Sequence, residues 1–124
     1  MSSPQVIIRP GRCSDEKDER FKRVLGCPDY VLEDAVTNEP VARCFVKEIK
    51  GQFVITHIEV REDMRRKEYG RKFIQELEKI AAQKNYREIY AEDIGPDSKD
   101  FWYKVGFQFS HYCQNDIEIW KKSI

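Results

Sequence analysis

Short apolar runs separated by turn-forming residues recur along this chain, and the pattern predicts a protein built largely of β-strands. The run FVITHIEV, residues 53–60, is nearly continuous in apolar and β-branched residues, which is typical of a central strand buried on both faces. Residues 5–10 and 87–94 predict two further strands. Residues 29–49 predict a hairpin around the turn TNEP, and residues 107–122 predict a second hairpin around QND.

Apolar residues at helical spacing predict one long amphipathic helix over residues 70–86, which packs a single face on the sheet. The residues that form this face are Phe73, Ile74, Leu77, Ile80, Ala81 and Lys84. Two shorter helices are predicted, one from Ser14 to Gly26 and one within residues 95–105 that Gly106 ends.

The order of these elements is strand, helix, hairpin, strand, helix, strand, helix, hairpin. Hairpins mixed with strand–helix–strand crossovers predict an α/β (α+β) fold with a mixed, mostly antiparallel sheet of six to seven strands and helices on both faces. The chain has 124 residues, 40% of them hydrophobic and 35% charged, which fits one domain over residues 1–124.

Charge and cysteine content narrow the function classes. Lysine plus arginine equals aspartate plus glutamate, at 22 each, so the chain lacks the basic excess expected of a nucleic-acid-binding domain. The four cysteines are widely spaced without a CxxC pair, and we expect reduced thiols in a cytoplasmic protein. We expect no export signal and no membrane span, because no apolar run is long enough for either. We also expect no metal site, because His111 and Cys113 alone are too few ligands.

The turn after the central strand carries the first candidate chemistry. Residues 61–73, REDMRRKEYGRKF, place five basic residues around Gly70, between a strand and a helix. Unpaired N–H groups at a helix start can bind a phosphate, and glycine permits close approach to the backbone. Glu68 lies within this turn, and we expect it to have negative φ and to point its carboxylate away from the anion.

This turn resembles the signature of the GNAT acetyltransferases, Gln/Arg-x-x-Gly-x-Gly/Ala. Arg65 and Gly70 match it, whereas Glu68 occupies the first glycine position. The resemblance implies a splayed central pair of parallel strands and acetyl-CoA as co-substrate. It places pantetheine along Ile58, Glu59 and Val60, and Arg65 at the start of the turn. The pyrophosphate is expected on the backbone of Arg66, Lys67, Glu68, Tyr69, Gly70 and Arg71.

A second stretch, DFWYKVGFQF, resembles the family's Phe-Tyr-x-Lys-x-Gly-Phe motif on the short helix before the last hairpin. In the family the tyrosine of this motif often protonates the departing CoA thiolate, but here Trp102 occupies its position and Tyr103 is next to it. An indole N–H cannot act as an acid at useful pH. Either Tyr103 acts as the acid, or the thiolate leaves unprotonated; both aromatics also fit a packing role.

Two residues are candidates for the general base. His57 and Glu59 share one strand face by alternation, and histidine has a suitable intrinsic acidity. Asp93 closes the next strand, and the resemblance places it where a carboxylate can hold the amine or polarise a water. Which of His57 and Asp93 accepts the proton stays open.

The resemblance implies an acetyl-CoA-dependent N-acetyltransferase in which a primary amine attacks the thioester directly. The acceptor, a small molecule or a peptide, is not specified. A catalytically weak GNAT-fold module that binds CoA or a protein is the alternative, because Glu68 and Trp102 depart from the family pattern. A homodimer through the final hairpin also stays open.

Overall fold

The computed structural model describes residues 5–22, 26–92 and 94–124, which form seven strands in one sheet. The strand order is β1-β2-β3-β4-β5-β7-β6. The strands are β1 Val6–Pro10, β2 Tyr30–Asp34, β3 Pro40–Ile49, β4 Gln52–Val60, β5 Glu88–Ala91, β6 Gln108–Tyr112 and β7 Glu118–Ser123. The helices of this described part are α1 Tyr69–Gln83 and α2 Lys99–Lys104.

The sheet is mixed, as the sequence predicts. β4 and β5 are parallel neighbours, whereas β1–β2, β2–β3, β5–β7 and β6–β7 are antiparallel. The parallel register runs from Phe53–Ile89 to Ile55–Ala91, after which the N–H of Glu92 donates to the carbonyl of Ile55 at 3.0 Å. β4 continues to Val60, so its last residues extend beyond the parallel ladder, and the splay of this strand pair stays a prediction.

A two-residue turn joins β3 to β4. Lys50 and Gly51 both have positive φ, 53° and 73°, and two such residues match the twist of the strands that they connect. This turn sets the start of the strand that leads to the candidate site.

Helix α1 buries the face that its spacing predicts. Four of the six predicted residues are almost completely buried: Phe73, Ile74, Leu77 and Ala81. Ile80 is half-buried, and Lys84 is exposed beyond the helix end, where its Nζ lies 2.8 Å from Glu48. Within the part of the chain that the structure describes, no helix is long and apolar enough to cross a membrane.

Both α-helices end on a residue in the left-handed conformation. Asn85 has φ 70° after α1, and the N–H of Tyr86 donates to the carbonyl of Ala81 at 3.0 Å. Gly106 has φ 101° after α2, and the N–H of Phe107 donates to Trp102 in the same way at 2.9 Å. The predicted stop at Gly106 is therefore confirmed.

The helix predicted over residues 14–26 is wrong for the described part of that segment. A short 3-10 turn, Cys13–Lys17, replaces it, and residues 18–22 are not helical. Asp15 accepts hydrogen bonds from Arg9 and from the N–H of Arg12, which hold this stretch in a turn. Residues 23–25 lie outside the described residues.

The chain divides into two compact units. The first comprises residues 1–45 and 58–76, and its buried apolar residues are Phe21, Val31, Leu32, Val41, Ala42, Cys44, Tyr69, Phe73 and Ile74. The second comprises residues 46–57 and 77–124, with buried Phe53, Val54, Ile55, Leu77, Ala81, Ile89, Ala91, Trp102, Val105, Phe107, Ile119 and Trp120. The single domain expected from the sequence stays a prediction.

A buried ion pair lies inside the first unit. Arg43 on β3 is 1% exposed, and its Nε and Nη2 each lie 3.2 Å from Oε1 of Glu59 on β4. The other carboxylate oxygen of Glu59 accepts the N–H of Lys22 at 2.9 Å, and Nη1 of Arg43 donates to the carbonyl of Asp15 at 3.2 Å. The Arg43 guanidinium also lies 4.8 Å from the centre of the Phe21 ring. These contacts bind the N-terminal segment to two strands.

A second ion pair holds the same segment to β1. Arg9 donates from Nη1 and Nη2 to the two carboxylate oxygens of Asp15 at 2.9 and 2.8 Å, and from Nε to Glu33 at 2.7 Å. Such forked, charge-assisted bonds are stronger than single neutral ones. The Arg9 hydrogen bonds hold the pKa of Asp15 below its ordinary value.

We predict that Glu59→Ala destabilises the protein by about 3 kcal/mol or more, because it leaves the Arg43 charge buried without its carboxylate. Replacement of both partners, Arg43→Met with Glu59→Leu, should cost less than Glu59→Ala. Urea unfolding measures both changes. Lys104→Ala is the control, since the exposed Lys104–Asp100 pair should change stability by less than about 0.5 kcal/mol. Equal costs for Glu59→Ala and Lys104→Ala would contradict the role of the buried pair.

We also predict an acid-sensitive component of stability from Asp15. The pKa of Asp15 in the folded state is lowered from its ordinary value of 3.8. The charged carboxylate therefore contributes fully to folding stability above the ordinary pKa, and this contribution is lost as the pH falls through the folded-state pKa. Asp15→Asn should therefore be less stable than the original chain near pH 7, and the difference should shrink toward about pH 2. Urea unfolding across this range tests it. Asp97→Asn at an exposed position serves as the control, and a difference independent of pH would refute the prediction.

Candidate functional site

Arg61 anchors the turn that follows β4 in the first unit. Its N–H donates to the carbonyl of Val41 at 2.9 Å, which continues the pairing with β3 beyond the end of β4. Its guanidinium is buried and donates to both oxygens of Asp63 at 3.0 and 2.6 Å and to the carbonyl of Pro40 at 3.1 Å. The Arg61 guanidinium lowers the pKa of Asp63. The start of the turn is therefore held in place.

Tyr69 anchors the other end of the turn. It is the first residue of α1, its ring is buried, and its hydroxyl donates to Oδ2 of Asp34 at 2.7 Å. The other oxygen of Asp34 accepts the N–H groups of Val36 and Thr37. Burial, followed by the Asp34 hydrogen bond, raises the pKa of Tyr69 to about 12, so the phenol keeps its proton near neutrality. The helix start is thereby bound to the end of β2.

The backbone between these anchors adopts an alternating conformation. Arg66 and Glu68 have positive φ, 65° and 66°, and Lys67 lies between them outside that region. Alternation of this kind turns successive N–H groups toward one side and forms an anion-binding concavity. The expectation that Glu68 has negative φ is therefore wrong. Glu68 takes the left-handed conformation that glycine adopts without strain, because the chain must turn there into α1.

The first turn of α1 adds further donors. The first helical hydrogen bond runs from the N–H of Lys72 to the carbonyl of Glu68 at 3.0 Å. In any α-helix, the N–H groups before this point have no acceptor inside the helix, and the dipole makes this end positive. Gly70 lies in this turn and is half-buried, and its lack of a side chain permits close approach to the backbone. Directly after the alternating turn, the helix start thus offers the N–H groups of Tyr69, Gly70 and Arg71, which precede the first helical hydrogen bond.

Basic side chains surround these donors. Arg65, Arg66, Lys67 and Arg71 are all exposed, and the carboxylate-bearing residue among them, Glu68, is exposed as well. Arg65 donates from Nε to the carbonyl of Val60 at 3.4 Å, a long and therefore weak hydrogen bond. The arrangement is suited to a phosphate ester that contacts the backbone and is attracted by the surrounding positive charge.

The last residues of β4 differ in their surroundings. Ile58 and Val60 are half-buried, whereas Glu59 is buried and its carboxylate is engaged by Arg43 and the N–H of Lys22. The Glu59 side chain therefore has a structural role in this strand. Contact of these three residues with a cofactor stays a prediction.

Two predicted site residues lie on α2 in the second unit. Trp102 is 3% exposed, and its ring packs edge-on against Phe107 and Phe101 with centroid distances of 4.9 and 5.2 Å. This is the packing role that the sequence left open for Trp102. Tyr103 follows it on the helix and is 68% exposed. Cofactor contact by Trp102 and acid catalysis by Tyr103 stay predictions.

The two candidate bases are placed differently. His57 is half-buried on β4 in the second unit. Asp93 lies outside the described residues. The structure therefore does not decide between them.

Sequence reasoning missed the residues that hold the turn, namely Arg61, Asp63, Asp34 and the hydroxyl of Tyr69. The spacing of Arg61 and Asp63 is a local signal, because side chains two residues apart can pair across a turn. The position of Asp34 before a turn indicates only a local hydrogen bond to the turn backbone. Its contact with the Tyr69 hydroxyl has no local signal, because the two residues are far apart in sequence.

Residues 8–107 match the model of the "Acetyltransferase (GNAT) family". No curated protein sequence matches the chain.

Solved structures share the fold at low sequence identity. A domain from Methanocaldococcus jannaschii aligns with a TM-score of 0.73 and 15% identity, covering 98% of this chain and 100% of that one. The PaiA N-acetyltransferase from Thermoplasma acidophilum in complex with coenzyme A aligns at 0.65 and 18%, covering 77% and 59%. An acetyltransferase from Listeria monocytogenes aligns at 0.61 and 14%, covering 77% and 63%. The chain thus spans about three fifths of the length of the latter two.

We predict that Glu68→Gly raises the free energy of unfolding by about 0.5–1 kcal/mol, because it removes the strain of a side chain at positive φ. This gain is expected to exceed the cost of the greater conformational freedom that glycine has in the unfolded chain. Arg66→Gly should act similarly, since it has the same φ sign. Urea unfolding measures both. Arg71→Gly is the control, because it lies within α1 and should destabilise by about 1 kcal/mol. Destabilisation by Glu68→Gly equal to that of Arg71→Gly would contradict the prediction.

Proposed function

The chain belongs to the GNAT acetyltransferase family, and from this premise we propose that it transfers the acetyl group of acetyl-CoA to a primary amine. The observation that carries the proposal is the alternating backbone at Arg66 and Glu68, which leads from β4 into the start of α1. A pyrophosphate is the part of acetyl-CoA that such donors would bind. The fold shared with PaiA, whose structure contains coenzyme A, supports the same ligand class.

In the proposed complex, the backbone of residues 66–71 binds the pyrophosphate. Arg65 and the neighbouring exposed basic side chains supply positive charge. Pantetheine then runs along Ile58–Val60. Its hydrogen bond to the Val60 carbonyl replaces the weak hydrogen bond that Arg65 donates to the same oxygen. This exchange loses little, because a bond of 3.4 Å contributes little stability.

The proposed reaction is direct attack. The neutral amine attacks the thioester carbonyl, the C–S bond breaks, and CoA leaves as a thiolate. A base accepts the proton of the amine, and His57 and Asp93 are the candidates. A thiol has an ordinary pKa of about 8.5, so the thiolate can leave without an acid, or Tyr103 can protonate it.

A second candidate function is a GNAT-fold module that binds CoA with little catalysis. The observation that favours it is Trp102, which occupies the family's tyrosine position and is packed among aromatic side chains. The two candidates share cofactor binding and differ only in turnover.

The predicted homodimer is a separate proposal, for which the exposed, adjacent rings of Phe109 and Tyr112 on β6 supply apolar surface.

We predict that acetyl-CoA raises the melting temperature, because a ligand of the native state stabilises it. Glu68→Gln should tighten binding about two- to fivefold by removing one negative charge near the phosphates. Glu68→Gly should tighten it at least as much, because it also relaxes the turn. Calorimetric titration with acetyl-CoA measures these dissociation constants. Pantetheine, which lacks the pyrophosphate, is the control and should bind all three chains alike; no binding of acetyl-CoA by any of them would sink both candidates.

We predict thiol release from acetyl-CoA when amines are present. A panel of polyamines, amino sugars and peptides with free N-termini or lysines would be tested with a thiol-reactive dye. His57→Ala should lower kcat more than tenfold if His57 is the base, with acetyl-CoA affinity unchanged. Binding without release for every amine would favour the second candidate function.

A further inference from the structure

Just beyond the antiparallel pairing of β1 and β2, two cysteines that are distant in sequence come into contact. The register pairs Val6 with Asp34 and Pro10 with Tyr30. Beyond the strands, the N–H of Gly11 donates to the carbonyl of Asp29 at 2.8 Å, so the two segments stay in contact although the N–H of Asp29 itself donates to Cys44. Cys13 and Cys27 each lie two residues beyond this contact, Cys13 as the first residue of the 3-10 turn and Cys27 in a bend.

The backbones approach closely at this point. A Cβ added to Gly11 would lie 1.8 Å from the carbonyl oxygen of Pro28, so only glycine fits. A disulfide requires two Cα atoms within about 7 Å of each other, and this close approach of the two segments favours such a distance for the cysteines that follow.

The two side chains interact and are accessible. The Cys27 thiol is in hydrogen-bond contact with Cys13, and its Sγ lies 3.8 Å from Oε2 of Glu16. Chiefly because of the Cys13 contact, the pKa of Cys27 rises to about 11. Both cysteines are free and exposed, whereas Cys44 is buried. An oxidant in solution can therefore reach this pair.

We propose that Cys13 and Cys27 form an oxidisable dithiol, which low-molecular-weight disulfides such as oxidised glutathione convert to an intramolecular disulfide. This modification site is independent of acetyl transfer.

The reaction proceeds by two exchanges. The Cys13 thiolate attacks one sulfur of oxidised glutathione, an S–S bond forms, and one glutathione thiolate leaves. Cys27 loses its proton to solvent, its sulfur attacks Cys13, and the second glutathione leaves. The two protein thiols are oxidised, and one glutathione disulfide is reduced to two glutathione thiols.

The disulfide would act on the segment that contacts the buried ion pair. Residues 13–27 contain Asp15, whose carbonyl accepts from Arg43, and Lys22, whose N–H donates to Glu59. Closing a loop of this length restricts the unfolded chain. We expect the oxidised form to unfold at a melting temperature about 5–15 °C higher than the reduced form.

The test is incubation of the folded chain with oxidised glutathione, alkylation of remaining thiols, and trypsin digestion without reduction. Trypsin places the four cysteines in four different peptides, CSDEK for Cys13 and residues 24–43 for Cys27. We expect a species that joins these two peptides, with a higher melting temperature that dithiothreitol reverses. Glutathione retained on Cys13 or Cys27, or a link to Cys113, would overturn the proposal.

Three variants separate the pair from general thiol reactivity. Cys13→Ser and Cys27→Ser should each retain glutathione on the remaining cysteine and show no rise in melting temperature. Cys113→Ser removes another exposed thiol and should form the link like the original chain. A link that forms without any rise in melting temperature would contradict the inferred geometry.

Discussion

The buried pair of Arg43 and Glu59 is the interaction on which the first unit depends. Both charges are almost completely removed from water, so each requires the other, and they join β3 to β4 side by side. Their remaining hydrogen-bonding groups bind the N-terminal segment through Lys22 and Asp15. The strand that leads into the candidate site is thereby held on one side by its neighbour and on the other by a non-helical segment.

The turn after this strand concentrates backbone strain at the place where a ligand is proposed. Two side-chain-bearing residues, Arg66 and Glu68, take the left-handed conformation, and each costs stability that the anchors Arg61 and Tyr69 offset. Strain of this kind persists only where the surroundings hold it, and it is frequent at functional sites. A glutamate in the turn is compatible with the proposed anion binding, because the proposed donors are backbone N–H groups and Glu68 is exposed.

The same N-terminal segment connects the site with the cysteine pair. Asp15 is bound to Arg9 on β1, and its carbonyl accepts from Arg43, while Cys13 starts the 3-10 turn that contains it. This short stretch therefore contacts Arg43, which pairs with Glu59 on β4, and it also contains Cys13 of the proposed oxidisable dithiol. Stabilising it would favour the native arrangement of β3 and β4 without touching the turn itself.

The sequence by itself determined the strands in their order along the chain, the long helix, the helix stop at Gly106, and the family, since these depend on local periodicity, turn chemistry and short motifs. It did not determine the conformation of Glu68, the short 3-10 turn that replaces a helix within residues 14–22, or the meeting of Cys13 with Cys27. Each of these depends on contacts between residues far apart in sequence: the anchors of the turn, the Arg9–Asp15 pair, and the register of β1 with β2. Local propensity favours glycine at position 68 and a helix at residues 14–26, and only tertiary structure overrides it.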